Sequence, residues 1–176
     1  MRFETVRDCK KALQSLVMKV PFDALRKELD GYTIMGHAHT PYSTETAKVL
    51  PRPIKTHKDL YQCQKLMIIC QGYMDRILAV KNEAREFLVG VSTIRLAVLR
   101  VLYDQGEITD KTAKHTREAV VGFKLPQLEK YEGKGKALYD RCDDLNWNLK
   151  STMGALARLR EFAEMSGIQL VKTNGR

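Results

Sequence analysis

LYQCQKLMIICQGYMDRILAVKNEAREFLVGVSTIRLAVLRVL, residues 60–102, is the stretch that decides the fold. Apolar side chains recur at Leu60, Cys63, Met67, Cys70, Met74, Ile77, Ala84, Leu88, Val91, Val98 and Leu102, in alternating steps of three and four. That is the period of an α-helix with a buried stripe, close to the repeat of helices that pack lengthwise on one another. Lys81 and Arg95 interrupt the stripe. Ile68, Ile69, Leu78, Phe87, Ile94 and Leu99 lie beside it, so a single neighbouring helix cannot cover everything apolar here.

The flanks punctuate this helix. Thr56-x-x-Asp59 is a variant of the capping box that starts a helix, and Gly106 stops it. Asp110–Phe123 reads as a short connecting helix. Pro126 suits the first turn of another long helix. Its stripe is Leu128, Tyr131, Gly135, Leu138, Cys142, Leu145, Leu149, Thr152, Leu156, Leu159 and Ala163, and Gly167 closes it. Two such helices with a compact connection predict a long antiparallel hairpin over 56–167, followed by a tail, 168–176. Upstream, Phe3, Val6, Cys9, Leu13, Leu16, Val17 and Val20 mark a helix that ends at Pro21. A shorter helix runs from Phe22 to Leu29, with Gly31 behind it. Residues 31–55, with Pro41, Pro51 and Pro53, read as an extended arm. The expected fold is all-α: a coiled-coil-like helical hairpin with small N-terminal helices (1–30) and a proline-containing arm.

Composition narrows the function classes. The chain has 176 residues, 44% hydrophobic and 29% charged, which is the balance of an ordered globular protein. No apolar run is long enough to span a bilayer, and the first residues mix charge into every turn, so a cytoplasmic protein is expected. Lys and Arg outnumber Asp and Glu by 30 to 21, a net charge of +9. That excess favours polyanionic partners. It is dispersed, at +2, +4, +1 and +2 over residues 1–50, 51–105, 106–150 and 151–176, so a binding face must be assembled by folding or oligomerisation. Cys9, Cys63, Cys70 and Cys142 include no C-x-x-C pair and read as reduced core thiols.

Two stretches raise metal chemistry. TIMGHAHTPYS, with His37 and His39, resembles the first motif of PHP-type phosphoesterases, in which alternate histidines on a strand hold metal. Those enzymes need a large α/β barrel and further ligands; only His57 and His115 remain, both in or beside helical segments. The histidines are therefore read as polar loop residues. Glu83-x-x-Glu86 and Glu107-x-x-Asp110 are spaced like the Mg²⁺-binding pairs of all-α MazG-type nucleotide pyrophosphohydrolases. The second pair falls in a turn after Gly106, and acid pairs at this spacing are common on solvated helix faces. No catalytic residue, cofactor or metal is expected. Gly133-Lys134-Gly135-Lys136 is a short basic glycine pair of a kind that can touch phosphate, and it reads rather as a flexible turn or a weak point near a helix start.

The remaining signal concerns nucleic acid. Lys58, Lys65 and Arg100 fall at outer positions of the first long helix, with Arg76 and Arg85 on flanking ones; together they predict a ladder of phosphate contacts. Trp147, off the stripe of the second long helix, either packs under the N-terminal helices or another subunit, or stacks on a base. The arm adds Tyr32, Tyr42, Lys48, Arg52 and Lys55.

From residue 60 to 165 the order of features resembles the phage recombination mediators of the UvsY type: EAREFL on a long helix, the basic-aromatic LRVLYDQG before a glycine, and a helix ending DLNWNLKSTMGALARLREFA. The resemblance implies an oligomeric, single-stranded-DNA-binding accessory protein that works with a recombinase. It assigns Arg95, Arg100 and Tyr103 to the basic-aromatic stretch. The alternatives are a helical virion or scaffold component, expected to self-associate with little DNA affinity, and an all-α metal-dependent nucleotide hydrolase.

Overall fold

The computed structural model describes residues 3–32 and 54–168. The fold is all-α, with no strand among the described residues. The helices are α1 (Val6–Met18), α2 (Phe22–Asp30), α3 (His57–Asp104), α4 (Lys114–Lys124) and α5 (Gln127–Met165). His37, His39, Tyr42, Lys48, Arg52 and most of the expected arm lie outside the described residues.

Local chemistry explains the helix ends. Thr5 caps α1: its hydroxyl accepts from the Asp8 N–H at 3.2 Å, while the Asp8 carboxylate accepts from the Thr5 N–H at 3.1 Å. Thr56 and Asp59 make the same reciprocal pair at the start of α3, at 3.2 and 3.0 Å. Each satisfies backbone donors that have no partner inside the helix. Both long helices end on a left-handed glycine, Gly106 at φ 73° and Gly167 at φ 79°. In each case the glycine N–H and the next N–H fold back onto the last turn: Gly106 to Tyr103 and Glu107 to Leu102, Gly167 to Glu164 and Ile168 to Ala163.

The chain forms two compact units: Met1–Arg26 with Val80–Arg141, and Lys27–Ala79 with Cys142–Arg176. In the first, one core joins Cys9 and Leu13 of α1 to Phe87, Val91, Ile94, Val98, Val101 and Leu102 of α3, and to Val121, Leu125 and Leu128. The N-terminal helices thus cover part of the wide apolar surface of α3. Two close approaches fix the packing. The Phe22 and Phe87 rings meet edge-on, centroids 4.8 Å apart, and a Cβ on Gly90 would stand 2.8 Å from Leu16. Within this unit α3 and α5 run antiparallel, since Lys81 lies over the Tyr139 ring at 4.6 Å, Phe87 abuts Gly135, and Arg95 meets Glu132. Gly135 is therefore a seat for Phe87 and not a weak helix start; a Cβ there would lie 2.8 Å from that ring.

The second unit buries Leu29, Leu60, Cys63, Leu66, Cys70 and Ile77 together with Cys142, Leu145, Leu149, Leu156 and Ala163. The Cys63 thiol donates to the Leu156 carbonyl at 3.4 Å. All four cysteines are buried and unpaired with one another. Burial pushes the Cys70 thiol up to about 12 and raises Cys9 and Cys63 in the same direction.

The stripe expected for α5 coincides with its buried and half-buried residues throughout. The stripe of α3 is displaced at four of its positions. Leu60, Cys63, Cys70, Ile77, Ala84, Val91, Val98 and Leu102 are buried as expected, but Leu66, Val80, Phe87 and Ile94 are buried in place of Met67, Lys81, Leu88 and Arg95. Each stands one residue before the expected one. The displacement has a plain cause: Val80 and Ile94 replace Lys81 and Arg95, so the seam carries no charge. Lys81 and Arg95 then flank it, half-buried.

Candidate nucleic-acid interface

In the second unit, Lys58 and Lys65 are exposed at equivalent positions of α3, and the neighbouring Asp59 carboxyl is held below its usual range first by the Lys55 N–H and, more weakly, by the Lys58 ammonium. Seven residues separate them, about 10.5 Å along the axis, close to three intervals of the ~3.4 Å phosphate spacing in a stacked strand. Tyr61 sits between them at the helical steps of three and four, with 65% of its surface exposed. The face is thus basic, aromatic, basic, beside the electropositive N-terminus of a long helix. Tyr61 was not among the residues singled out from the sequence. The 58–61–65 spacing was the available signal.

Arg76, in the same unit, is engaged. Its guanidinium donates to both Glu28 carboxylate oxygens, at 2.7 and 2.9 Å, and Tyr32 also donates to Glu28. These contacts, the Arg76 bond first and then the Tyr32 bond, hold the Glu28 carboxyl down to about 2. Trp147 is 69% exposed, so it does not pack under the N-terminal helices. Asp143 and Asp144 lie one turn before it on the exposed side of α5, which opposes a phosphate chain there.

In the first unit, Arg95 points inward. With 20% of its side chain exposed, it donates to Glu118 at 2.6 Å and to Glu132, tying α3 to α4 and α5. Tyr103 donates to Asp110 at 2.9 Å, a contact that raises the phenol pKa. Arg85 and Arg100 are exposed: Arg85 lines a shallow hollow with Asn82, Glu86 and Val89, and Arg100 lines another with Phe3, Thr93, Leu96 and Asp104. The residues expected to form one ladder therefore divide into an exposed set (Lys58, Lys65, Arg85, Arg100) and an internally bonded set (Arg76, Arg95).

The second acidic pair is drawn into other contacts. Glu107 accepts from Lys124 at 2.6 Å, and Asp110 accepts from Tyr103. Among the described residues, no three His, Cys, Asp or Glu side chains converge as metal ligands. No helix among them is long and apolar enough to cross a membrane.

No protein-family model, curated protein or solved structure matches the chain.

Proposed function

We propose that the chain is a non-enzymatic, basic, helical DNA-binding accessory protein that binds single-stranded DNA as an oligomer, in the manner of a recombination mediator. The observation that supports it best is the exposed Lys58–Tyr61–Lys65 face. Two exposed ammonium groups supply sequence-independent attraction to phosphates, and the ring between them offers a stacking platform for a base. Single strands suit this face better than duplex, because only an unpaired base exposes its face to Tyr61. The resemblance to recombination mediators extends the reading to a recombinase as protein partner.

The test is titration of a labelled single-stranded oligonucleotide with wild type, Tyr61→Ala and the pair Lys58→Glu/Lys65→Glu. Both variants should bind more weakly, Tyr61→Ala by about 1–3 kcal/mol per stacked base. Equal affinity in all three proteins would remove the proposed face. The rival, an assembly or scaffold role, draws on a different observation: several large apolar residues of α3 face solvent, among them Val89 at 60% and Leu96 at 64% exposure. That role predicts self-association with no measurable oligonucleotide affinity.

A further inference from the structure

The buried seam of α3 in the first unit runs through Ala84, Phe87, Val91, Ile94, Val98 and Val101. A second series, Glu86, Val89, Thr93, Leu96, Arg100 and Tyr103, has the same steps of three and four, and all six residues are exposed. The two series begin two residues apart, a rotation of about 200° at 3.6 residues per turn, so they lie on opposite sides of the helix. Val89, Leu96 and Tyr103 are 60%, 64% and 48% exposed. Thr93 belongs with them, because its hydroxyl donates to the Val89 carbonyl at 2.9 Å and leaves its methyl group as the available surface. One α-helix thus carries two lengthwise seams, one filled by its own chain and one open among the described residues.

We propose that the open seam is the surface through which two copies of this chain pair, α3 against α3 and antiparallel, about a two-fold axis between the levels of Thr93 and Leu96. The charges select both occupant and direction. In an antiparallel pair Thr93 of one copy meets Leu96 of the other, Val89 meets Arg100, and Glu86 meets Tyr103. Glu86 of each copy then lies one layer, about 4.5 Å along the axis, from Arg100 of the other. Two Glu–Arg pairs form per dimer, one at each end of an apolar centre. A parallel pair would instead set Glu86 against Glu86 and Arg100 against Arg100, and like charges oppose it. The contact is isologous and closes on itself, giving a dimer and not a filament. Hollows flank the seam beside Glu86–Val89 and beside Thr93–Arg100, with room for the side chains of an incoming helix. The inference deepens the oligomeric part of the proposed function, and it assigns Arg100 to the dimer in place of the DNA face.

Sedimentation equilibrium of the full chain tests it, with wild type, Leu96→Asp, Glu86→Arg, Arg100→Glu and the double charge exchange Glu86→Arg/Arg100→Glu. A contact of this modest size should dissociate in the micromolar range, about 1–100 µM. Leu96→Asp should abolish the dimer. Each single exchange turns two attractive pairs into repulsive ones and should weaken dimerisation about tenfold or more, and the double exchange should return it to within about threefold of wild type. All these positions are exposed, so circular dichroism should show every variant folded. A monomeric wild type at about 100 µM, or single exchanges that dimerise as well as wild type, would overturn the proposal. So would a double exchange no better than the singles. Lys58→Glu/Lys65→Glu separates this from the DNA reading: it should leave the dimer intact whatever it does to oligonucleotide binding.

Discussion

Gly133 and Gly135, two residues apart on α5, should respond to alanine with opposite signs. Gly133 is exposed, and a Cβ there meets nothing within 4 Å. Gly133→Ala therefore gains helix propensity alone, about 0.8–1.0 kcal/mol. Gly135→Ala gains the same propensity, but its Cβ would stand 2.8 Å from the Phe87 ring and 3.0 Å from Leu88. Phe87 is 1% exposed and cannot swing outward. Forcing a methyl into such a contact costs about 1–3 kcal/mol. Because the propensity gain is common to both, the difference between the variants isolates the packing cost, about 1–3 kcal/mol in favour of Gly133→Ala. Urea unfolding followed by circular dichroism measures it. The midpoint of Gly133→Ala should rise above wild type, that of Gly135→Ala should fall below Gly133→Ala, and the slope should not change. Equal upward shifts in both variants would refute the seating of Phe87 on Gly135, and with it the antiparallel register of α3 and α5 in this unit.

Three further outcomes follow from the bonded side chains. Arg95→Ala removes the tie among α3, α4 and α5 and should cost about 1–2 kcal/mol of stability in the same unfolding assay, allowing for carboxylates that remain nearly half exposed; unchanged stability would mean that the tie is not formed in solution. The Glu28 carboxyl, held down to about 2 against an ordinary 4.5, contributes stability that is complete above pH 4.5 and lost as the pH falls toward 2. Glu28→Gln should flatten acid unfolding in that window, and an unaltered profile would count against the Arg76 contact. The Cys70 thiol ionises near pH 9.0 when unfolded but near 12 when buried, so stability should be intact below pH 9 and decline as pH rises toward 12. Cys70→Ala should remove part of that decline, and no cysteine should react with a thiol reagent at neutral pH until the chain unfolds.

The helices were legible because their signals are local. Capping pairs, terminating glycines and a repeat of three and four all lie within a few residues of the structure they dictate. The single apolar seam of α5 left one solution. α3 allowed two, since Leu66 and Met67 are both apolar, and so are Tyr73 and Met74, and Phe87 and Leu88. The deciding clue was the charge on Lys81 and Arg95, which Val80 and Ile94 remove. The proposed DNA face was half legible: Lys58 and Lys65 stand exposed, while Tyr61 reads in the sequence as one more apolar residue in a rich helix. Arg95 could not have been sorted from the sequence, because its partners are 23 and 37 residues away and only the packing of α4 and α5 brings them to it. Trp147, for which packing and stacking both stood open, is exposed because its place on α5 faces away from the buried stripe.

The central claim is that a basic-aromatic face on α3 binds single-stranded DNA through phosphate contacts. The most direct test compares the salt dependence of oligonucleotide binding in wild type and in Lys58→Glu/Lys65→Glu. Removing two phosphate contacts should reduce the slope of log affinity against log salt by about 1.4, at about 0.7 per contact on a single strand. Identical slopes, or a wild type that does not bind, would contradict the account and leave the net charge of +9 as a property of the surface alone.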